Sequence, residues 1–323
     1  MKKAGRVLFA LIAVLCVIFA VSCRSLPVSG GEVVIRFMDS SVRAWGDCTL
    51  IEFPDGQRML IDAGLQKAGA EILQDLKAMG ISRIDYLVIT HYHNDHVAGL
   101  KEILPQIHFD RAWVTGYFPT DFAWVESTLA YYGTEIVYVK AGDSFEIGGA
   151  RIDVLWPTAD AVAVRPEGTS KATSGPGSTY DMNCHSMVLK LTYGNNTALF
   201  TGDIYVEAEK NLIGLLSEDL SVLDCDILKI MHHGYNTSSS EDFINAVSPK
   251  YAFSMGTQVM DNNIYLFYYK VGAEVFMSWQ NGRSTVRMNR TGITVENEKP
   301  GVNSAYTKYV EAWETVQGIR QGQ

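Results

Sequence analysis

The chain has 323 residues, 47% hydrophobic and 20% charged, enough apolar surface for a large core, which excludes the disordered and collagen-like classes. Its formal charge of −9 argues against a broad basic surface that tracks nucleic-acid phosphates, while leaving room for a local basic cleft. The scattered cysteines Cys48, Cys184 and Cys225 make no disulfide framework, and Cys48 and Cys225 fall in apolar runs that suit buried thiols.

The first segment, Met1-Lys2-Lys3 followed by the apolar stretch Val7 to Val21, has a basic front and the length of an export signal rather than the ~20 residues of a membrane span. It ends in Ala20-Val21-Ser22-Cys23, which resembles a bacterial lipobox. That pattern predicts a signal peptide over 1–22, lipid attachment at Cys23, and an exported lipoprotein anchored on the extracytoplasmic face of a membrane. A plain secretory signal or an uncleaved anchor helix are the alternatives. Loss of residues 1–22 removes Lys2, Lys3 and Arg6 and no acid, so −9 becomes −12.

A linker over 23–31 leads into strand-like runs at 33–37, 49–53 and 59–61, with the turn Pro54-Asp55-Gly56 between the last two. Ile72, Leu76 and Met79 recur at helical spacing over 66–79, stopped by Gly80. A strand at 84–90, a helix at 97–104 before Pro105, a strand at 113–114, a helix at 121–131 and strands at 135–139 and 152–155 follow. Residues 157–182 read as a polar loop too long for an ordinary connection, expected to border an active-site mouth. The second half repeats the pattern: strands at 186–192, 197–200 and 227–230, helices near 205–216 and at 240–247, and further strand–helix pairs to about 295. Two face-to-face sheets with helices outside bury such a pattern economically, so one hydrolase domain over 32–298 is expected. The tail, 299–323, carries Tyr306, Val310, Trp313 and Val316 at helical spacing and predicts a docked helix.

The chemistry is concentrated where apolar strands end. Thr90-His91-Tyr92-His93-Asn94-Asp95-His96 leaves the 84–90 strand with four ligand-type side chains in one tight loop. Imidazole and carboxylate suit borderline divalent cations such as zinc or manganese. The i, i+2 pair His91 and His93 can converge on one ion, and Asp95 and His96 can reach a second beside it. Thr201-Gly202-Asp203 ends another strand, and Asp203 is the candidate bridge, one oxygen to each ion. Met231-His232-His233-Gly234 ends a third; His232 is expected to complete the second site, and His233 to contact substrate or support the ligands.

These segments, in this order, resemble the metallo-β-lactamase superfamily over about residues 32–298. Gly46-Asp47, Leu60-Ile61-Asp62-Ala63-Gly64, Asp181-Met182-Asn183 with Ser186, and His232-His233-Gly234 are similar to the soluble hydrolase domain of the competence DNA-uptake protein ComEC and its stand-alone relatives. The resemblance implies an α/β fold, an αββα sandwich of two mixed sheets flanked by helices, and a supporting role for Asp62 behind the histidine loop. The Gly-His-Thr turn that often supplies a third histidine to the first site is missing, leaving Asn183, His185 or water, with Asn183 preferred. Where relatives often have His-Pro, this chain has Asp261 followed by the aromatic-rich run to Tyr269, either a pocket wall or core packing.

Two divalent ions would lower the pKa of a shared water and polarise a bound ester, and in-line attack on phosphorus suits such a pair. Asp95 and Asp203 would orient the water. The leading expectation is an exported metal-dependent phosphodiesterase, nuclease-like or acting on a cell-surface phosphodiester such as a phosphorylcholine ester, with nucleic acid entering only as substrate. The alternatives are hydrolysis of a carboxylic ester, thioester, lactam or lactone, and a non-catalytic ligand-binding lipoprotein on the same fold.

Overall fold

The computed structural model describes residues 31–38, 46–256, 260–299 and 304–317; the expected signal segment 1–22 and Cys23 lie outside them. Fifteen strands among these form two sheets. The first sheet contains β1 (Val33–Phe37), β2 (Thr49–Glu52), β3 (Arg58–Ile61), β4 (Arg83–Ile89), β5 (His108–Val114), β6 (Glu135–Tyr138), β14 (Ser284–Met288) and β15 (Ile293–Asn297), in the order β15-β14-β1-β2-β3-β4-β5-β6. The second contains β7 (Ser144–Ile147), β8 (Ala150–Trp156), β9 (Val188–Tyr193), β10 (Asn196–Phe200), β11 (Ile227–Lys229), β12 (Tyr251–Ser254) and β13 (Glu274–Met277), in the order β13-β12-β11-β10-β9-β8-β7. Each sheet is mixed: β3 to β6 and β10 to β13 run parallel, and their remaining neighbours pair antiparallel.

Side-chain alternation places successive residues in different layers. On β4, Val88 enters the core between the sheets while Leu87 and Ile89 pack under the helices covering the first sheet. On β10, Ala198 and Phe200 face the first sheet and Leu199 the opposite helices. Both faces are covered, so these strands read as continuous apolar runs. Phe37 stacks on Phe253 across the gap, ring centroids 4.2 Å apart, tying the two sheets together. The result is the expected αββα sandwich.

Several elements differ from the sequence reading. The helix expected over 97–104 is two short ones, Asn94–Val97 and Leu100–Ile103, so Asp95 and His96 sit on a helical turn. Gly99 between them presses on the β3 exit: a Cβ there would lie 1.9 Å from the Ala63 carbonyl oxygen. The edge strand β7 shows no apolar run, because exposed Ser144 and Glu146 alternate with Phe145 and Ile147 over only four residues. The long loop ends in the helix Thr179–Cys184, whose Ser178 cap accepts from the Asp181 amide at 3.2 Å. The aromatic run is core: helix Asn262–Lys270 buries Ile264, Leu266 and Tyr268. The tail helix, Ser304–Val316, docks through fully buried Tyr306, stacked on Tyr265 at 3.9 Å, while Val316 is exposed. No helix among the described residues is long and apolar enough to cross a membrane.

Candidate metal centre

The site gathers at the carboxyl ends of parallel strands, where α/β sheets place ligands. β4 delivers the histidine loop, β3 delivers Asp62, β10 delivers Asp203, and β11 delivers Lys229 and the His232-His233 turn. Gly202 makes the turn before Asp203 with φ +51°, and a Cβ there would come within 2.9 Å of Thr90. Only glycine lets the β10 exit lie this close to the histidine loop.

Two donor groups lie side by side. In the first, His91 Nε2 and His93 Nδ1 are 2.9 Å apart, two imidazole nitrogens that need a proton or a cation between them. His93 Nε2 and both amide atoms of the buried Asn183 meet no hydrogen-bond partner. In the second, Asp203 Oδ2 is 3.1 Å from His96 Nε2 and 3.4 Å from His233 Nε2, and His233 Nε2 is 3.3 Å from Asp95 Oδ2. Asp95, His96, Asp203 and His233 all bring a ligand atom within 4.8 Å of one another.

The second ring nitrogen of each histidine in that group is already engaged, which aims Nε2 at the cluster. His96 Nδ1 lies 2.8 Å from Asp62 Oδ2. Asp62 holds an uncommon φ of +59° and also accepts from the Thr90 amide and hydroxyl, at 2.9 and 2.7 Å. His233 Nδ1 lies 2.7 Å from the Met255 carbonyl and 3.2 Å from Asp47 Oδ1. Burial alone would lower the His96 pKa, but Asp203, Asp62 and Asp95 hold it well above the usual histidine value. Burial likewise opposes the raised pKa of His233, which Asp203 and Asp47 sustain. Burial should raise Asp203, yet His96, His233 and Lys229 hold it well below the carboxylate range. Acids this deep need positive charge, and protons on the histidines are what divalent cations displace on binding. The orphaned nitrogens, the paired imidazoles and the buried carboxylates therefore fit divalent ions.

Two expected roles change places. His233, not His232, joins the second donor group. Both residues have left-handed backbones, φ +43° and +56°, and this sharp turn carries His233 inward and leaves His232 at the cleft wall. His232 Nε2 is 4.0 Å from Asp203 Oδ2, its Nδ1 bonds the Thr237 hydroxyl at 2.6 Å, and burial pushes its pKa down to about 4. Asp203 Oδ1 lies 3.2 Å from Lys229 Nζ, and its Oδ2 faces His96 and His233. His185 stands apart from the site. Its Nδ1 bonds the Asp181 carbonyl at 2.7 Å and its ring stacks on Tyr117 at 3.8 Å, facing a different cavity.

Sequence reasoning gave no role to Asp47 or Lys229, which pair with each other beneath the site. A lysine in the apolar strand Ile227-Leu228-Lys229 was the available signal, because a buried ammonium requires a buried acid. Above the donors opens a cleft of about 660 Å³ lined by His93, Asp95, Asn183, Asp203 and His232. The long loop reaches its mouth with Ser170 and Lys171.

Comparison with known proteins agrees with this geometry. Residues 46–254 match the family model described as the metallo-beta-lactamase superfamily. The chain is 28% identical over 197 residues to competence protein ComA of Neisseria gonorrhoeae, covering 61% of this chain and 23% of that protein. It is 31% identical over 181 residues to ComE operon protein 3 of Bacillus subtilis (strain 168), covering 55% of this chain and 20% of that protein. The chain thus spans less than a quarter of the length of these curated relatives. The metallo-beta-lactamase fold protein YhfI from Bacillus subtilis superposes with a TM-score of 0.51 at 10% identity, over 83% of this chain and all of that one, a likeness of fold alone. The chain belongs to the metallo-β-lactamase superfamily, and over its matched segment it is similar to proteins of the ComEC-like kind.

Proposed function

We propose that the protein is an exported phosphodiesterase that uses two divalent ions, zinc or manganese. His91 and His93, with Asn183 beside them, would hold one ion. Asp95, His96 and His233 would hold the other, with Asp203 as the candidate bridge between them. The observation that carries the reading is the pair of neighbouring donor groups, His91 with His93 and Asp95, His96 and Asp203 with His233, whose His91 and His96 rings lie 4.1 Å apart under an open cleft. When bound, the ions supply Lewis acidity at the phosphoryl oxygen and a water acidic enough to attack near neutral pH.

The remaining work falls to the chain. Asp62 and Asp47 fix which ring nitrogens of His96 and His233 face the cluster. Asp95 and Asp203 orient the attacking water opposite the leaving group. His232, on the cleft wall, is placed to hydrogen-bond a phosphoryl oxygen, and Lys171 at the mouth favours an anionic substrate. The competence names of the relatives are compatible with a phosphodiester substrate, although the shared segment is a minor part of those proteins.

Hydrolysis of bis-para-nitrophenyl phosphate by protein of measured metal content tests this. Chelation should abolish turnover and added zinc or manganese restore it, and Asp203→Ala should lose at least about 100-fold, the upper end of what partners of metal ligands alone contribute. Activity untouched by chelation, or confined to thioesters or nitrocefin, would overturn the reading. Export and anchoring rest on the lipobox-like Ala20-Val21-Ser22-Cys23, and palmitate labelling that persists in Cys23→Ala would remove that part.

A further inference from the structure

The helix Thr179–Cys184 separates two cavities. Thr179 and Asn183, one turn apart, line the metal cleft, whereas Tyr180, Asp181 and Cys184 line a second pocket of about 370 Å³, within the size range of small-ligand sites. The second pocket is walled by the rings of Trp156 and Tyr180 and by Tyr117, one face of which is covered by His185, and by three carboxylates, Asp160, Asp181 and Glu207; among the described residues no lysine or arginine lines it.

The polar ends of the aromatic side chains are occupied. Trp156 Nε1 donates to the Cys184 carbonyl at 2.7 Å, Tyr180 donates to Glu207 Oε2 at 2.8 Å, and the Tyr117 hydroxyl donates to Asp181. What the walls offer a ligand is therefore ring surface in a field of negative charge. Aromatic faces attract cations through their quadrupole, and carboxylates whose partners here are neutral donors and His185 rather than a lysine or arginine add to that attraction while repelling phosphate. The pocket is also close to the chemistry: the Tyr180 ring is 5.0 Å from Tyr205, and Tyr205 is 4.9 Å from His232 on the cleft wall.

We infer that this pocket binds a compact organic cation, an ammonium or quaternary ammonium group, beside the metal cleft. The cation is either free or part of the substrate. The second case rests on the phosphodiesterase reading, and it selects an ester of a cationic alcohol over a nucleic-acid strand, whose further phosphates this pocket would repel.

Calorimetric titration of the full-length protein with choline chloride needs no turnover and so stands if the phosphodiesterase reading fails. Saturable binding is expected, weakened by roughly tenfold or more in Tyr180→Ala and in Glu207→Lys, with folding of both variants checked by circular dichroism. Absence of saturation at tens of millimolar choline, or equal binding by both folded variants, overturns the site. The source of the cation is read from the ratio of kcat/KM for para-nitrophenyl phosphorylcholine to that for bis-para-nitrophenyl phosphate. A ratio that falls roughly tenfold in Glu207→Lys makes the cation part of the substrate, because a general loss of activity cancels in the ratio. Choline binding with an unmoved ratio assigns the pocket to a free cation.

Discussion

Lys229 Nζ lies 3.2 Å from Asp203 Oδ1, so one oxygen of this carboxylate is held by a buried ammonium and only Oδ2 remains for the cluster of His96 and His233. Asp47 completes the arrangement, paired with Lys229 and 3.2 Å from His233 Nδ1. One acid–base pair thereby steers a carboxylate and an imidazole at once.

Lys229→Met should weaken both stability and metal binding. It leaves Asp47, 2% exposed, without its buried partner, and breaking such a pair costs about 3–5 kcal/mol. Metal affinity should fall about 10–100-fold, as when other groups that orient ligands are removed. Adding Asp47→Asn should recover more stability than metal affinity, because the stranded charge is gone but Asp203 is still unsupported. Urea unfolding and metal titration measure the two effects. A single variant as stable as the parent would disprove the role of the pair.

The two adjacent histidines should separate in their effects. His233→Ala should lose metal, since its Nε2 faces Asp95 and Asp203. His232→Ala should retain metal and change KM or kcat, because its Nε2 stands farther out on the cleft wall. Metal content by mass spectrometry beside steady-state kinetics decides, and metal loss confined to the His232 variant would reverse the assignment.

Asn183→Ala should reduce occupancy at the His91–His93 group, while His185→Ala should leave it unchanged. The buried Asn183 amide is unpartnered in the cleft, whereas His185 stacks on Tyr117 away from it. Zinc titration of both variants checks this, and a lost metal equivalent in His185→Ala alone would count against it.

A pH effect is expected away from the metal site. Glu209 is fully buried and accepts from the Ser239 and Ser240 amides, and burial holds its pKa above the ordinary 4.5. The folded state therefore binds this proton more tightly than the unfolded state. The stability it contributes is full below pH 4.5 and is lost as pH rises through the raised value. Glu209→Gln should remove that loss, so the difference in urea midpoint between variant and parent should move in the variant's favour from mildly acid to mildly alkaline pH. A difference that does not change with pH would refute the linkage.

Much of this architecture was legible in one dimension. Strand β1 and the strands that carry His91, Asp203 and the His232-His233 turn could be read because a β-strand covered on both faces is an uninterrupted apolar run, and the ligands follow directly where each run stops. Asp62 could be placed behind the histidines only through family resemblance. The helix Thr179–Cys184 was missed because six residues are too few for a helical period to show, although Ser178 and Asp181 carry its capping signal.

The sequence by itself determined the order of the strands that bear ligands, the chemistry of the donors, and the sandwich that brings their ends together. The tertiary structure alone decided which of His232 and His233 turns inward, because a turn of two left-handed residues has no periodicity from which to phase its side chains. It also decided that Asn183 rather than His185 lines the cleft, that Lys229 pairs with one oxygen of Asp203, and that Asp47 meets Lys229. Those relations depend on how two sheets stack and how loops from distant strands pack, so the residues that set them are neighbours only after the chain has folded.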